Sequence, residues 1–103
     1  MSDNTALTEA TYYILLSLYE PRHGYGIMQR AQELSGGRIR LAAGTLYGAL
    51  NAMVDKGWIT LLPGEGRKKD YRLTPLGLEV LQKELARLRE LVASGDMVLK
   101  EDE

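Results

Sequence analysis

The residues best suited to chemistry lie in two segments near the middle of the 103-residue chain. Residues 44–50 read GTLYGAL and are followed by Asn51, so hydroxyl, phenol and amide groups stand among small residues. Some twenty residues later, Arg67-Lys68-Lys69 forms a short cationic run. Hydroxyl, amide and cationic groups bind phosphate oxygens, and small residues let a helix approach a ligand closely. The two segments together indicate a surface that binds a polyanion.

Other kinds of chemistry are poorly represented in this sequence. The chain has no cysteine, which excludes disulfides and thiolate metal sites, and it has a single histidine, His23. No carboxylates cluster beside a nucleophile, so a catalytic set cannot be assembled. We therefore predict that the protein is not an enzyme and needs no metal or cofactor. For His23, beside a glycine, we predict a role in stabilising a turn.

The charge is divided along the chain although the net charge is only −1. Residues 22–72 contain nine Lys/Arg and four Asp/Glu, whereas residues 1–21 contain three acids and no base. Residues 73–103 contain four bases and seven acids. A cationic middle between anionic ends is compatible with a local phosphate-binding face, because the local sign of charge matters more than the total.

The sequence also bears on where the protein is found. The N-terminal residues lack the basic segment and apolar run of a signal peptide. The longest apolar run is far shorter than the ~20 residues that a membrane span requires. With no cysteine to suggest an oxidising compartment, we expect a cytoplasmic protein that does not contact a membrane.

Apolar periodicity and turn residues predict four helices and one hairpin. Thr74 caps the fourth helix, Pro75 occupies its first turn, and Gly95 is expected to end it. The predicted helices cover residues 5–19, 25–35, 43–56 and 75–95, with an extended segment at 38–41 and strands at 58–62 and 71–74.

This order predicts a mainly α fold with a small β-hairpin, namely a winged helix-turn-helix with an added C-terminal helix. We expect residues 1–74 to form the DNA-binding domain, residues 75–95 a dimerisation helix of the same compact unit, and residues 96–103 an acidic tail.

The third helix is the predicted DNA-docking element. Its apolar face is completed by leucine and methionine, which leaves Thr45, Gly48 and Asn51 outward. The hydroxyls of Thr45 and Tyr47 can bind phosphate, and free N–H groups of the first turn attract it. Asn51 either pairs with adenine in the major groove or is simply solvated.

The basic run is predicted to lie at the tip of the hairpin, where long side chains reach phosphates or a narrow minor groove. Two further residues have alternative roles: Arg40 contacts the DNA backbone or serves solubility, and Tyr25 contacts phosphate or anchors the core. The complete predicted DNA-binding set is Tyr25, Arg40, Gly44, Thr45, Tyr47, Asn51, Arg67, Lys68 and Lys69.

The fourth helix carries a narrow apolar seam with spacings of three and four residues, typical of a helix that pairs with another helix. We therefore predict a homodimer. Its predicted interface comprises Leu7, Ile14, Leu78, Leu81, Leu85, Leu88 and Val92. The tyrosines of the first helix either pack against the fourth helix or line an effector pocket, for which the candidates are Tyr12, Tyr13 and Leu88.

Over about residues 8–92 the chain resembles the PadR family of bacterial transcriptional regulators, and its single terminal helix is like the short branch of that family. The segments that carry the resemblance are Tyr13-Ile14-Leu15, residues 23–27 (HGYGI), residues 44–50 (GTLYGAL), residues 56–59 (KGWI), residues 66–69 (GRKK) and residues 71–77 (YRLTPLG).

The resemblance implies a homodimer in which the terminal helices pack against the partner's first helices. It also implies a two-fold related operator and repression relieved by a small molecule or another signal. The DNA-facing positions of the family correspond to Gly44, Thr45 and Tyr47 and to the basic run. Asp70 departs from the family pattern, in which this position is commonly basic or aromatic.

We therefore predict a sequence-specific transcriptional regulator, a repressor that binds double-stranded operator DNA as a homodimer and responds to a small-molecule effector. The alternative is a winged-helix module that binds a protein and not DNA.

Overall fold

A computed structural model describes residues 6–63 and 69–100 of the chain. The elements follow in the order α1 (Glu9–Ser17), α2 (Gly24–Leu34), α3 (Ala43–Asp55), β1 (Ile59–Leu61), β2 (Tyr71–Leu73) and α4 (Pro75–Lys100). The prediction of a mainly α fold with a β-hairpin, arranged as a winged helix-turn-helix with a C-terminal helix, is confirmed. Among the described residues, no helix is both long and apolar enough to cross a membrane.

One hydrophobic core joins all four helices to the hairpin. Burial of apolar surface in this core is the main stabilising contribution to the fold. It is built from Ile14, Leu15 and Leu18 at α1, Ile27 of α2, Leu46, Leu50 and Met53 of α3, Ile59 and Tyr71 of the hairpin, and Leu81 of α4.

Three helices begin at a side chain that accepts a backbone N–H. The Thr8 hydroxyl accepts from Thr11, 3.1 Å away, which explains why α1 begins at Glu9 and not at residue 5. The Nδ1 atom of His23 accepts from the N–H of Gly26, 3.0 Å away, and so confirms the turn-stabilising role of this histidine. Thr74 caps α4 in the same way. Helix α3 has no side-chain cap, because Ala42 occupies that position.

The hairpin is tied to the turn between α1 and α2. Strands β1 and β2 are antiparallel, with Thr60 opposite Arg72. Arg22 adds an isolated bridge to the outer edge of β2: its N–H donates to the carbonyl of Tyr71 at 3.1 Å and its carbonyl accepts from Tyr71 at 2.9 Å. The predicted extended segment at residues 38–41 forms no strand in the described chain.

The start of α4 packs closely on the base of the hairpin. The N–H of Thr74 donates to the carbonyl of Trp58 at 3.0 Å. A Cβ at Gly77 would overlap the carbonyl oxygen of Trp58 and lie 2.8 Å from its carbonyl carbon, so glycine permits this approach. Trp58 itself is half-buried, with the Lys56 Nζ atom 4.7 Å from its ring centroid.

The prediction that Gly95 ends α4 is wrong, because the helix continues to Lys100. A glycine within a helix costs only about 1 kcal/mol relative to alanine. It ends a helix when it adopts the left-handed conformation, as Gly36 and Gly57 do with φ of 65° and 79°. Residues 96–100, predicted as part of an acidic tail, are therefore the C-terminal five residues of α4.

Two residues predicted at the dimer interface lie instead in the core of their own chain. Ile14 is fully buried and Leu81 is 6% exposed. A side chain buried within its own subunit offers no surface to a partner, so the interface prediction is wrong for these two residues. Spacing along a helix shows which residues share a face, but it does not show whether that face meets the same chain or another.

Glu84 is a buried charged residue that links α4 to the chain before α1. Its side chain is 5% exposed and accepts two hydrogen bonds from Arg87, at 2.8 and 2.6 Å. The hydrogen bonds from Arg87 lower the pKa of the Glu84 carboxyl, burial opposes this shift, and the charge of Arg87 and the N–H of Leu7 lower it further. The ion pair with Arg87 thus keeps the buried carboxyl of Glu84 ionised.

The buried pair makes stability sensitive to acid. Because the folded-state pKa of Glu84 is depressed, its stabilisation is complete above the ordinary value of 4.5 and is lost as the pH falls through the lower folded value. We expect Glu84→Gln to reduce the free energy of unfolding at neutral pH and to flatten its decline in acid, as measured by urea unfolding at several pH values.

The matched control is Glu79→Gln, which breaks the exposed pair between Glu79 and Lys83. Exposed pairs of this kind contribute about 0.5 kcal/mol. Equal losses in the two variants would contradict a special role for Glu84.

Candidate nucleic-acid interface

Helix α3 presents a polar, uncovered face opposite its buried one. Thr45, Gly48 and Asn51 are exposed, whereas the leucines and methionine of the same helix lie in the core. Gly44 is exposed in the first turn, and a Cβ added there would meet nothing within 4 Å. Because the first turn lacks a side-chain cap, its N–H groups remain available to an anion. The predicted contact residues of α3 therefore share one accessible face.

A cleft of about 490 Å³ lies between α3, the start of α2 and the hairpin. Among the described residues, its lining combines aromatic hydroxyls, the ammonium group of Lys69 and an apolar wall. Its lining residues are His23, Gly24, Tyr25, Tyr47, Leu61, Lys69 and Tyr71. The cleft brings together three of the predicted DNA-binding residues, Tyr25, Tyr47 and Lys69.

Gly24 permits the closest approach in this cleft. A Cβ at Gly24 would overlap the hydroxyl of Tyr47 and lie 2.7 Å from its Cζ atom. The ring of Tyr47 therefore lies directly against the first residue of α2. The same ring remains 45% exposed, so it reaches from α3 across α2 to the surface.

Tyr71 lies deeper in the cleft. It is only 8% exposed, because its strand position places the ring in the core. Burial, with a smaller contribution from nearby Tyr47, raises the pKa of the Tyr71 phenol above its ordinary value. Tyr71 is therefore a protonated hydrogen-bond donor at neutral pH.

The remaining predicted contact residues are more peripheral. Arg40 is exposed and forms no ion pair with the described residues, whereas Arg38 binds Glu9 at 2.6 Å. Tyr25 is 62% exposed, and its hydroxyl accepts from Gln29 at 3.4 Å, so it is a surface residue and not a core anchor. Arg67 and Lys68 lie outside the described residues.

The predicted effector residues lie away from this cleft. Tyr12 and Tyr13 are half-buried on α1, with ring centroids 5.7 Å apart in an edge-to-face arrangement. Leu88 is half-buried on α4. None of the three lines the cleft of α2, α3 and the hairpin.

Sequence reasoning missed Gly24 and Tyr71 as parts of this cleft. Gly24 stands within the segment that resembles the PadR family, but nothing local reveals that Tyr47 covers it. Tyr71 reads as an ordinary aromatic residue of a strand. Only the meeting of α2, α3 and β2 gives these residues a shared surface.

The PadR-like family of transcriptional regulators matches residues 13–83. The chain belongs to this family. A curated relative, a 37.1 kDa uncharacterized protein in transposon TN4556 of Streptomyces fradiae, is 38% identical over 77 residues. That match covers 74% of the present chain but only 22% of the relative, so the chain spans about a fifth of the relative's length.

Solved structures of the family have the same fold. A PadR family regulator from Clostridium difficile R20291 has a TM-score of 0.74 and 26% identity, over 87% of this chain and 97% of that one. One from Eggerthella lenta DSM 2243 has a TM-score of 0.71 and 27% identity, over 86% and 80%. Bacillus subtilis PadR, solved in complex with operator DNA, has a TM-score of 0.66 and 28% identity, over 79% and 48%.

The close approach at Gly24 makes a stability prediction. We expect Gly24→Ala to lower the free energy of unfolding by about 1–3 kcal/mol, because the added methyl group displaces the Tyr47 ring. In a Tyr47→Ala background the same substitution should cost nothing, since the clash is gone. Urea unfolding of the four proteins of this cycle measures the coupling.

Gly26→Ala is the matched control, because a Cβ at Gly26 would make only ordinary contacts of 3.5 Å or more. An equal cost of Gly24→Ala with and without the Tyr47 ring would show that the ring is not what requires glycine.

Proposed function

We propose that this PadR-family protein is a sequence-specific DNA-binding repressor that acts as a homodimer on a pseudo-palindromic operator. The observation that carries the proposal is the uncovered polar face of α3 beside the tyrosine-lined cleft. The complex of the related Bacillus subtilis PadR with operator DNA supports the same ligand. We also propose that the protein acts in the cytoplasm, where its DNA ligand is found.

In the proposed complex, α3 enters a major groove and the cleft faces the sugar-phosphate backbone. Thr45 and Tyr47 supply hydroxyl donors to phosphate, and Lys69 supplies positive charge. Asn51 is the exposed residue of α3 that can read an adenine edge. The other exposed positions of this face are small, so dimer spacing and DNA shape contribute to specificity.

The proposal predicts salt-dependent binding to duplex DNA. For the wild-type protein we expect the logarithm of the binding constant to fall linearly with the logarithm of the salt concentration. Lys69→Ala should reduce that slope by about 0.9, the value for one phosphate contact. Fluorescence anisotropy with a duplex selected from a random-sequence pool, over a series of salt concentrations, measures both quantities.

Lys83→Ala is the control, since Lys83 is an exposed lysine of α4 paired with Glu79. For this variant, the slope of the logarithm of the binding constant against the logarithm of the salt concentration should equal that of the wild type. If the wild-type protein bound no duplex in a salt-dependent manner, the alternative of a winged-helix module that binds a protein would be favoured.

We further propose that α4 forms the dimer interface. The helix has 26 residues and is therefore about 39 Å long, and its C-terminal part is exposed from Arg89 to Lys100. Val92 is 62% exposed and Leu99 is 69% exposed. The spacing of three and four residues that defines the apolar seam continues from Val92 to Gly95 and then to Leu99. Leu7, Leu78, Leu85 and Leu88 are half-buried and contribute the remaining predicted contacts.

The dimer proposal is tested at two exposed apolar residues of α4. Val92→Asp places a charge on the seam and should shift the protein from dimer to monomer in sedimentation velocity. Met97 is 63% exposed on the far side of the helix, so Met97→Asp should leave the dimer intact. Dimers of equal strength in both variants would contradict the seam as the interface.

Release of the operator by a small molecule remains a prediction. Tyr12, Tyr13 and Leu88 supply aromatic and apolar surface on α1 and α4, the helices that the dimer proposal places at the interface. An effector acts there only if it binds the DNA-competent and incompetent states with different affinities.

A further inference from the structure

We propose that the cleft between α2, α3 and the hairpin binds a single phosphate of the DNA backbone, with the Tyr71 hydroxyl as a direct donor and Gly24 as a positioning residue. This inference rests on the proposed DNA-binding function. It adds to that function one specific contact and the reason for the glycine at the start of α2.

The first support is the Tyr71 hydroxyl. No hydrogen bond joins it to any described residue, and no buried side-chain oxygen or nitrogen of the described chain lacks a partner. The side chain as a whole is more than nine-tenths buried, which makes a partner for its hydroxyl energetically important. Because Tyr71 lines the cleft, this is where its hydroxyl can meet a ligand.

The second support is the N-terminus of α2, an 11-residue helix that begins in the same cleft. His23 accepts the N–H of Gly26, and the N–H of Ile27 donates to the His23 carbonyl. The N–H groups of Gly24 and Tyr25 have no acceptor in the described chain. Free amides at a helix N-terminus favour an anion, and Lys69, which also lines the cleft, adds positive charge.

Gly24 then has a defined part in the geometry. Its missing side chain lets the Tyr47 hydroxyl lie over the first turn of α2. Tyr47 and Tyr71 line the same cleft. The two tyrosines and the first residues of α2 therefore border one cleft, and their hydroxyl and N–H groups are donors of the kind that bind a phosphate. Leu61, 43% exposed, forms the apolar wall against which a deoxyribose can pack.

The test couples one hydroxyl to one phosphate. The probe is a duplex selected from a random-sequence pool. A series of modified duplexes has the same sequence, and in each of them a neutral methylphosphonate replaces a different single phosphate. We expect Tyr71→Phe to weaken binding of the unmodified duplex by about tenfold, the value of one hydrogen bond to a charged group. The phenylalanine keeps the ring in the core, so the unfolding temperature should be unchanged.

The decisive result is how the difference in affinity between wild type and Tyr71→Phe depends on the position of the methylphosphonate. With a methylphosphonate at the bound phosphate, wild type and Tyr71→Phe should differ by less than about twofold, whereas at all other positions the tenfold difference should persist. Tyr47→Phe should likewise weaken binding of the unmodified duplex, and this loss should disappear when the methylphosphonate replaces the same phosphate. Gly24→Ala should weaken binding with that phosphate present and have little effect with it replaced.

Tyr19→Phe is the control, because Tyr19 is 75% exposed and does not line the cleft, and it should bind every duplex like the wild type. An equal loss for Tyr71→Phe on all duplexes would indicate a purely structural role, and no loss would mean no contact; either result overturns the inference while the proposed DNA binding stands. If the wild-type protein bound no duplex, both proposals would be overturned.

Discussion

The backbone bridge between Arg22 and Tyr71 is the interaction on which the rest of this structure depends. Two hydrogen bonds, of 3.1 and 2.9 Å, join the turn before α2 to the outer edge of β2. The Nε atom of Arg22 also donates to the carbonyl of Ser17 at 2.8 Å, which satisfies an acceptor at the end of α1. One residue thus fixes the exit of α1, the entry of α2 and the position of the hairpin.

The proposed DNA-facing surface follows from that constraint. With β2 held beside the start of α2, Tyr71 belongs to the core and also lines the cleft. Helix α3 then brings Tyr47 over Gly24 from the other side. The cleft and the exposed face of α3 therefore lie side by side, since both are built on elements that share the same core.

At the other end of the molecule, α4 has two parts with different surroundings. Its first half contributes Leu81 and the buried Glu84 to its own domain, and Gly77 allows close packing on Trp58. Its second half is uncovered, with Val92 and Leu99 mostly exposed. The surface proposed for dimerisation is therefore continuous with the helix that packs on the core of the domain carrying α3.

Local patterns in the sequence were enough for the helices, the hairpin, the turn-stabilising role of His23, the cap at Thr74 and the family, because these depend on residues a few positions apart. They were not enough for the end of α4 at Gly95, or for assigning Ile14 and Leu81 to their own core. Nor do they separate Arg38, paired with Glu9, from Arg40, or reveal that Gly24 and Tyr71 share a cleft. Those outcomes depend on which distant segments meet, and packing of the whole chain decides that.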